Sequence, residues 1–164
     1  MRETLLRPIG IIHTPHREQA TAPVQPTFPE GARGTVTIFD PYVEALADLD
    51  GCERVWLLFE FDRAKDWSSR VVPYRDVAER GLFATRAPAR PNPIGLSAVR
   101  LLSVEGNTLR VQDVDMLDGT PLLDIKPYVP SFDAYPDSRA GWMDATTSER
   151  RVADERFERG TSAK

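Results

Sequence analysis

Fourteen prolines stand against ten glycines in this chain of 164 residues. Each proline fixes its own φ near about −65° and withdraws a backbone donor, so long helices and central ladder positions are poor places for it. A chain punctuated this often is expected to be mainly β, with edge strands, turns and fixed loops instead of a helical bundle. Hydrophobic residues make up 41% of it, enough for a real core. At this length roughly two thirds of the unfolded surface is buried on folding, and one domain is the expectation.

Charge narrows the function classes. Twenty-one Lys and Arg against 25 Asp and Glu leave a net charge of −4. That removes the simplest electrostatic case for a nucleic-acid binder, whose phosphate affinity comes from clustered cations, and leaves room only for a local basic patch. A single cysteine, Cys52, excludes an intrachain disulfide framework and a cysteine-rich zinc site, and it suits a reducing compartment. No apolar run approaches the roughly twenty residues of a membrane helix, and the N-terminus lacks the marks of a signal peptide. A cytoplasmic protein without membrane contact is expected.

Along the chain, residues 5–12 read as a β-branched strand interrupted by Pro8. Residues 14–33 form a coil with Pro15, Pro23, Pro26 and Pro29, too long for a hairpin loop and typical of a functional or partner-wrapped segment. A strand follows over Gly34 to Phe39. Asp40 before Pro41 predicts a capped short helix reaching Asp50-Gly51. Glu53 to Phe61 is the most apolar stretch, predicted as a central strand buried on both faces, with Glu60 inside or at its end. A short strand is expected at Val71 to Tyr74, and pairing resumes at Leu82. Ala98 to Val104 and Thr108 to Val114 flank Glu105-Gly106-Asn107, a hairpin signal, with Leu109 and Val111 facing one way and Arg110 and Gln112 the other. Pro121 to Ile125 gives another strand, stopped by Pro127. Thr146 and Glu149 form a capping box that opens a tail helix over residues 147–159, ended by Gly160. The pattern fits a small antiparallel β-barrel or sandwich spanning 1–142, followed by a tail-helix segment, 143–164.

Several chemistries are absent. There is no G-x-G-x-x-G, no P-loop and no G-x-S-x-G elbow around Ser97 or any other serine. His13 and His16 sit three apart in a strand and loop, far from Cys52, and make a poor ligand set, so no metal is expected. Two blocks stand out instead: ATRAPARPNPIGLS at 84–97 and DMLDGTPLLDIKPYVP at 115–130. Pro88, Pro91 and Pro93 make the first rigid before any ligand arrives, and Gly95 permits close backbone approach. The second holds the turn pair Asp118-Gly119 among Asp115, Asp124 and Lys126. Rigid polar loops at strand ends are where small-molecule sites form.

At these residues the sequence resembles the TrmO family, also called TsaA-like or YaeB-like. The resemblance rests on RPNPIG at 90–95 with Leu96-Ser97 and on LDGTPLLDIKPYVP at 117–130. It extends to IGIIHTPH at 9–16, Pro23-Val24-Gln25, RVWLLFEF at 54–61 and Phe83-Ala84-Thr85-Arg86, and so covers about residues 7–142. It implies a small β-barrel methyltransferase, unlike the Rossmann class, that uses S-adenosylmethionine to methylate the exocyclic nitrogen of threonylcarbamoyladenosine beside the tRNA anticodon and works as a homodimer. The cofactor contacts it implies fall on Pro23, Val24 and Gln25, on Asp62 and Arg63, on Arg86 and Leu96, and on Asp115, Met116, Leu117 and Asp118. Asp62-Arg63 departs from the family's usual His followed by Gln or Lys. Larger members continue into a further domain, so a reduced, salt-sensitive tRNA surface is expected here.

Transfer from a sulfonium needs alignment and desolvation, which rigid loops supply. The carbamoylated nitrogen must also lose a proton, and Asp62, Asp115 and Asp124 are the unranked candidate acceptors. Asp115 or Asp118 is a candidate for the cofactor's ribose hydroxyls, and Arg86 for its carboxylate. Arg90 or Lys126 is a candidate for the threonyl carboxylate of the substrate base. The proline coil or the tail helix is expected to cross the dimer interface. The alternative reading is a dimeric S-adenosylmethionine-binding module without RNA methylation.

Overall fold

The computed structural model describes residues 4–18, 22–23, 31–74 and 76–146. Six strands close into an antiparallel barrel: β1 (Gly10–His13), β2 (Arg33–Ile38), β3 (Arg54–Glu60), β6 (Ile94–Glu105), β7 (Thr108–Gln112) and β8 (Thr120–Pro127). Around the barrel the order is β1, β2, β7, β6, β3, β8 and back to β1. Closure leaves the barrel itself without an unpaired edge strand. Strands β4 (Arg70–Val71) and β5 (Arg80–Gly81) make a separate two-stranded ribbon. The only α-helix among the described residues is the single turn α1 (Pro130–Asp133). None of the described helices is long and apolar enough to cross a membrane.

Period-2 alternation builds the core. Ile12, Val36, Val55, Leu57, Val99, Leu109, Val111 and Leu122 are each fully buried, pointing into the barrel from different strands. Each such side chain contributes about 1.5–3 kcal/mol relative to exposure. Leu109 and Val111 point inward and Arg110 outward, as their alternation predicts. The hairpin turns at Gly106, whose φ of 61° is open to glycine at little cost.

Several elements differ from their sequence expectations. The first strand covers only Gly10–His13, because the ladder starts after Pro8, with Ile9 N–H donating to the Leu122 carbonyl at 2.8 Å. The helix expected from Asp40 is a 3-10 helix over Asp40–Leu46, and the cap position falls on Phe39, so Asp40 caps nothing. Strand β3 is buried on one face only: Val55, Leu57 and Phe59 point inward, while Trp56, Leu58 and Glu60 are half-buried. The strand expected at Val71 to Tyr74 is confined to Arg70–Val71, since pairing with Arg80–Gly81 ends there. The tail helix expected over 147–159 lies outside the described residues.

One buried ion pair crosses the barrel wall. Arg54, at the start of β3, donates from Nη2 to Asp113 Oδ2 at 2.7 Å and from Nη1 to the Ala98 carbonyl at 3.1 Å. Asp113, 2% exposed, follows β7 in the left-handed region at φ 72°.

Candidate active site

The two proline- and aspartate-rich blocks meet over one cavity of about 710 Å³. Its floor begins in the β3 to β6 ladder. Glu60 pairs with Ile94, and Phe61 N–H donates to the Pro93 carbonyl at 2.7 Å, so the proline block turns directly into β6. Gly95, Leu96 and Ser97 therefore follow Ile94 at the start of a strand instead of ending a loop. Gly95 has a steric reason to be glycine. A β-carbon there would lie 2.2 Å from the Phe59 ring.

Arginines brace the proline loop above this floor. Arg86 Nη2 donates to the Leu96 carbonyl at 3.0 Å, tying the loop to β6. Arg90 Nη1 donates to the carbonyls of Thr85 at 3.1 Å and Ala87 at 3.4 Å. Beneath them Leu82, Ala64, Ala87 and Ala89 form a small second core.

The acidic block approaches from the other side. Ser97 Oγ donates to Asp115 Oδ1 at 2.7 Å. Burial pushes the Asp115 carboxyl up from 3.8 to about 6, against the opposing pull of the Ser97 hydrogen bond and the nearby Arg86 charge. A carboxylate poised this close to neutrality in a cavity wall is suited to proton transfer. Met116 and Leu117 continue the wall, and the chain turns at Gly119, φ 79°.

Asp118 points elsewhere. Its Oδ1 accepts from Thr14 N–H at 3.1 Å, and His13 Nδ1 lies 3.4 Å away. The Thr14 bond, then His13, hold its carboxyl below the ordinary value. Its carbonyl accepts from Arg63 Nη2, which fixes the turn Asp62-Arg63 at the cavity rim. Asp62 and Arg63 form a 3.5 Å pair there.

Of the residues singled out from sequence, Pro23, Asp62, Arg63, Arg86, Arg90, Leu96, Asp115, Met116 and Leu117 line the cavity. Asp124 and Lys126 do not: they pair with each other at 2.9 Å on solvent-exposed side chains of β8. Val24 and Gln25 lie outside the described residues. Residues not singled out also contribute. Trp56, Phe61, Tyr74 and Trp142 supply aromatic wall, and Trp56 is held by its Nε1 donating to Asp133 Oδ2 at 3.2 Å. The outward half of an apolar strand was the only sequence signal for Trp56. A second hollow of about 490 Å³, between Lys65 and Val77, is lined by surface groups such as Arg70 and Asp76, each already ion-paired.

A closed six-stranded antiparallel barrel carrying a two-loop cavity defines a small β-barrel domain with a small-molecule site, distinct from doubly wound nucleotide folds. Residues 11–134 match the family model described as the tRNA-methyltransferase O N-terminal domain, and the chain belongs to that family. It is 51% identical over 84% of its length to a probable S-adenosyl-L-methionine-binding protein of Pyrococcus abyssi, covering 75% of that protein. It is 37% identical over 82% of its length to the tRNA (adenine(37)-N6)-methyltransferase of Escherichia coli, covering 61% of it. The crystal structure of TrmO from Pseudomonas aeruginosa aligns with a TM-score of 0.75 at 44% identity, covering 88% of this chain and 65% of that one. The chain thus spans a little under two thirds of these last two proteins.

Proposed function

We propose that this chain binds S-adenosylmethionine in the cavity beside Asp115 and methylates N6 of threonylcarbamoyladenosine next to the anticodon of a tRNA, as a cytoplasmic homodimer. The observation that carries the reading is Asp115 itself, a half-buried carboxylate in the cavity wall, oriented by Ser97 and pushed up to about 6 by desolvation.

The residues fit the cofactor by their chemistry. A cavity of about 710 Å³ lies within the roughly 300–1,000 Å³ of small-molecule sites. Trp56, Phe61 and Leu96 offer an apolar wall to a purine, and Arg86 offers a cation to a carboxylate. Pro23, Met116 and Leu117 complete the enclosure. When bound, S-adenosylmethionine supplies a methyl carbon on positively charged sulfur, open to in-line displacement.

The chain's residues do the remaining work. The carbamoylated exocyclic nitrogen is a weak nucleophile and must shed its proton. Asp115, ionised at neutral pH yet more basic than an ordinary carboxylate, takes that proton. Ser97 fixes which oxygen faces the reaction. Arg90 lines the same cavity and offers its cation to an anionic group of the substrate RNA. Asp118 positions Arg63 from behind the wall instead of touching the cofactor with its carboxylate. Asp62, paired with Arg63, shapes the rim, and Asp124 and Lys126 have no part in this chemistry.

The test is mass spectrometry of tRNA from a strain lacking the gene. Loss of one methyl from the modified anticodon-loop adenosine supports the enzyme. A second reading, a binding module that holds the cofactor without RNA methylation, is favoured by the relatives this chain covers almost end to end. S-adenosyl-L-methionine-binding proteins of Archaeoglobus fulgidus and, as probable, of Methanothermobacter thermautotrophicus are covered to 92% and 95%. Calorimetric cofactor binding with an unchanged tRNA profile would select it.

A further inference from the structure

Phe83 is 80% exposed, yet nothing about its backbone is loose. It is the middle residue of a 3-10 turn, Leu82–Ala84, whose first residue is anchored in the second core. Leu82 N–H donates to the Ser69 carbonyl at 2.9 Å, and its own carbonyl accepts from Thr85 N–H at 3.0 Å and Thr85 Oγ1 at 2.7 Å. The Ala84 carbonyl accepts from Trp142 Nε1 at 2.8 Å. The turn is held on both sides of Phe83, and the ring is presented to solvent by a rigid base.

The ring also has a charged neighbour. The Arg90 guanidinium carbon lies 5.6 Å from the Phe83 ring centroid, within range of a cation–π contact, and the same Arg90 lines the cavity. Among the described residues Arg90 forms no carboxylate ion pair; its bonds given above go to the carbonyls of Thr85 and Ala87. An exposed aromatic face and an uncompensated guanidinium, one side chain from a cavity mouth, match a single-stranded nucleotide, which offers a π-face and a phosphate together. A base entering the cavity must leave its stack, and its chain neighbours then lie at the mouth.

We propose that Phe83 is the stacking platform for a nucleotide flanking the methylated adenosine, with Arg90 beside it toward the RNA backbone. This inference rests on the RNA-directed reading above, but binding can be read without catalysis. The probe is an anticodon stem-loop containing threonylcarbamoyladenosine, with 2-aminopurine at the flanking nucleotide. Wild-type protein should quench the 2-aminopurine on binding. Phe83→Ala should abolish the quenching and raise the KM for the stem-loop roughly 5- to 150-fold, leaving kcat and calorimetric cofactor affinity unchanged. Phe83→Trp should restore both, whereas Phe83→Leu, apolar without a π-face, should not.

Wild-type quenching without methyl transfer would overturn the enzyme reading and keep the platform. Methyl transfer with quenching and KM indifferent to Phe83→Ala would overturn the platform and keep the enzyme. Absence of RNA binding by the wild-type protein would overturn both. If Phe83→Ala lowers the sedimentation mass and leaves quenching intact, the ring covers a second copy of the chain and the platform is refuted.

Discussion

Ser97 and Asp115 are joined by a 2.7 Å hydrogen bond between the start of β6 and the segment that leads from β7 into β8. The bond links the two blocks of sequence that make the cavity. It also opposes the burial that raises the Asp115 carboxyl to about 6. These influences, with the nearby Arg86 charge, set how much of the carboxylate is ionised at a given pH.

Replacing Asp115 with Asn removes the proton acceptor while keeping the side chain's shape. Methyl transfer should fall by about 10²- to 10⁴-fold, with little change in KM for the RNA. Wild-type activity should rise with pH through about 6 and level off above it, and the residual activity of the variant should lack that limb. A pH–rate series on both proteins checks this.

The same carboxylate makes folding depend on pH. Its folded pKa lies above its unfolded value, so its contribution to stability is fully present below about 4 and is lost as pH rises through about 6. Asp115→Asn should therefore stabilise the protein at pH 8, by on the order of 1–3 kcal/mol, and bring little gain at pH 4. Urea midpoints at the two pH values measure the difference.

Ser97→Ala deletes the hydrogen bond that favours the ionised carboxylate. The midpoint of the pH–rate profile should move upward, and activity at pH 6 should fall more than activity at pH 8. An unmoved midpoint would show that Ser97 does not tune Asp115.

Gly95→Ala places a methyl 2.2 Å from the Phe59 ring in the cavity floor. Overpacking of this kind costs about 1–3 kcal/mol. Because Gly95 lines the cavity, cofactor affinity should drop as well. Denaturant melts and calorimetry on one preparation separate the two effects.

Arg54→Met leaves Asp113 buried without its cation. Breaking one side of a buried pair costs about 3–5 kcal/mol. The double variant Arg54→Met with Asp113→Asn should recover much of this loss, as read from urea midpoints, because no uncompensated charge is left inside.

The barrel was legible from sequence where alternation was clean. Thr108 to Gln112 reads inward and outward residue by residue, and Gly106 marks its hairpin. Glu53 to Phe61 misled because an apolar run cannot show which half faces the interior; Trp56, Leu58 and Phe61 cover the outside of the barrel and the cavity. Asp40-Pro41 misled because a cap followed by proline is equally compatible with a 3-10 helix, which is what the short segment adopts. In the site, the two blocks announced themselves through prolines and aspartates. Which aspartate faces the cavity depended on tertiary placement: Asp115, in the segment between β7 and β8, meets Ser97 of β6, whereas Asp124 stands outside on β8, opposite Leu58. No local pattern carries that information.

The central claim is methyl transfer to the modified adenosine through Asp115. Its most direct test incubates the purified protein with S-adenosylmethionine and an anticodon stem-loop bearing threonylcarbamoyladenosine, followed by nucleoside mass spectrometry. The expected result is a gain of one methyl at N6 with wild-type protein, reduced at least a hundredfold by Asp115→Asn. An unmethylated nucleoside after incubation with protein that binds both the cofactor and the RNA would contradict the claim.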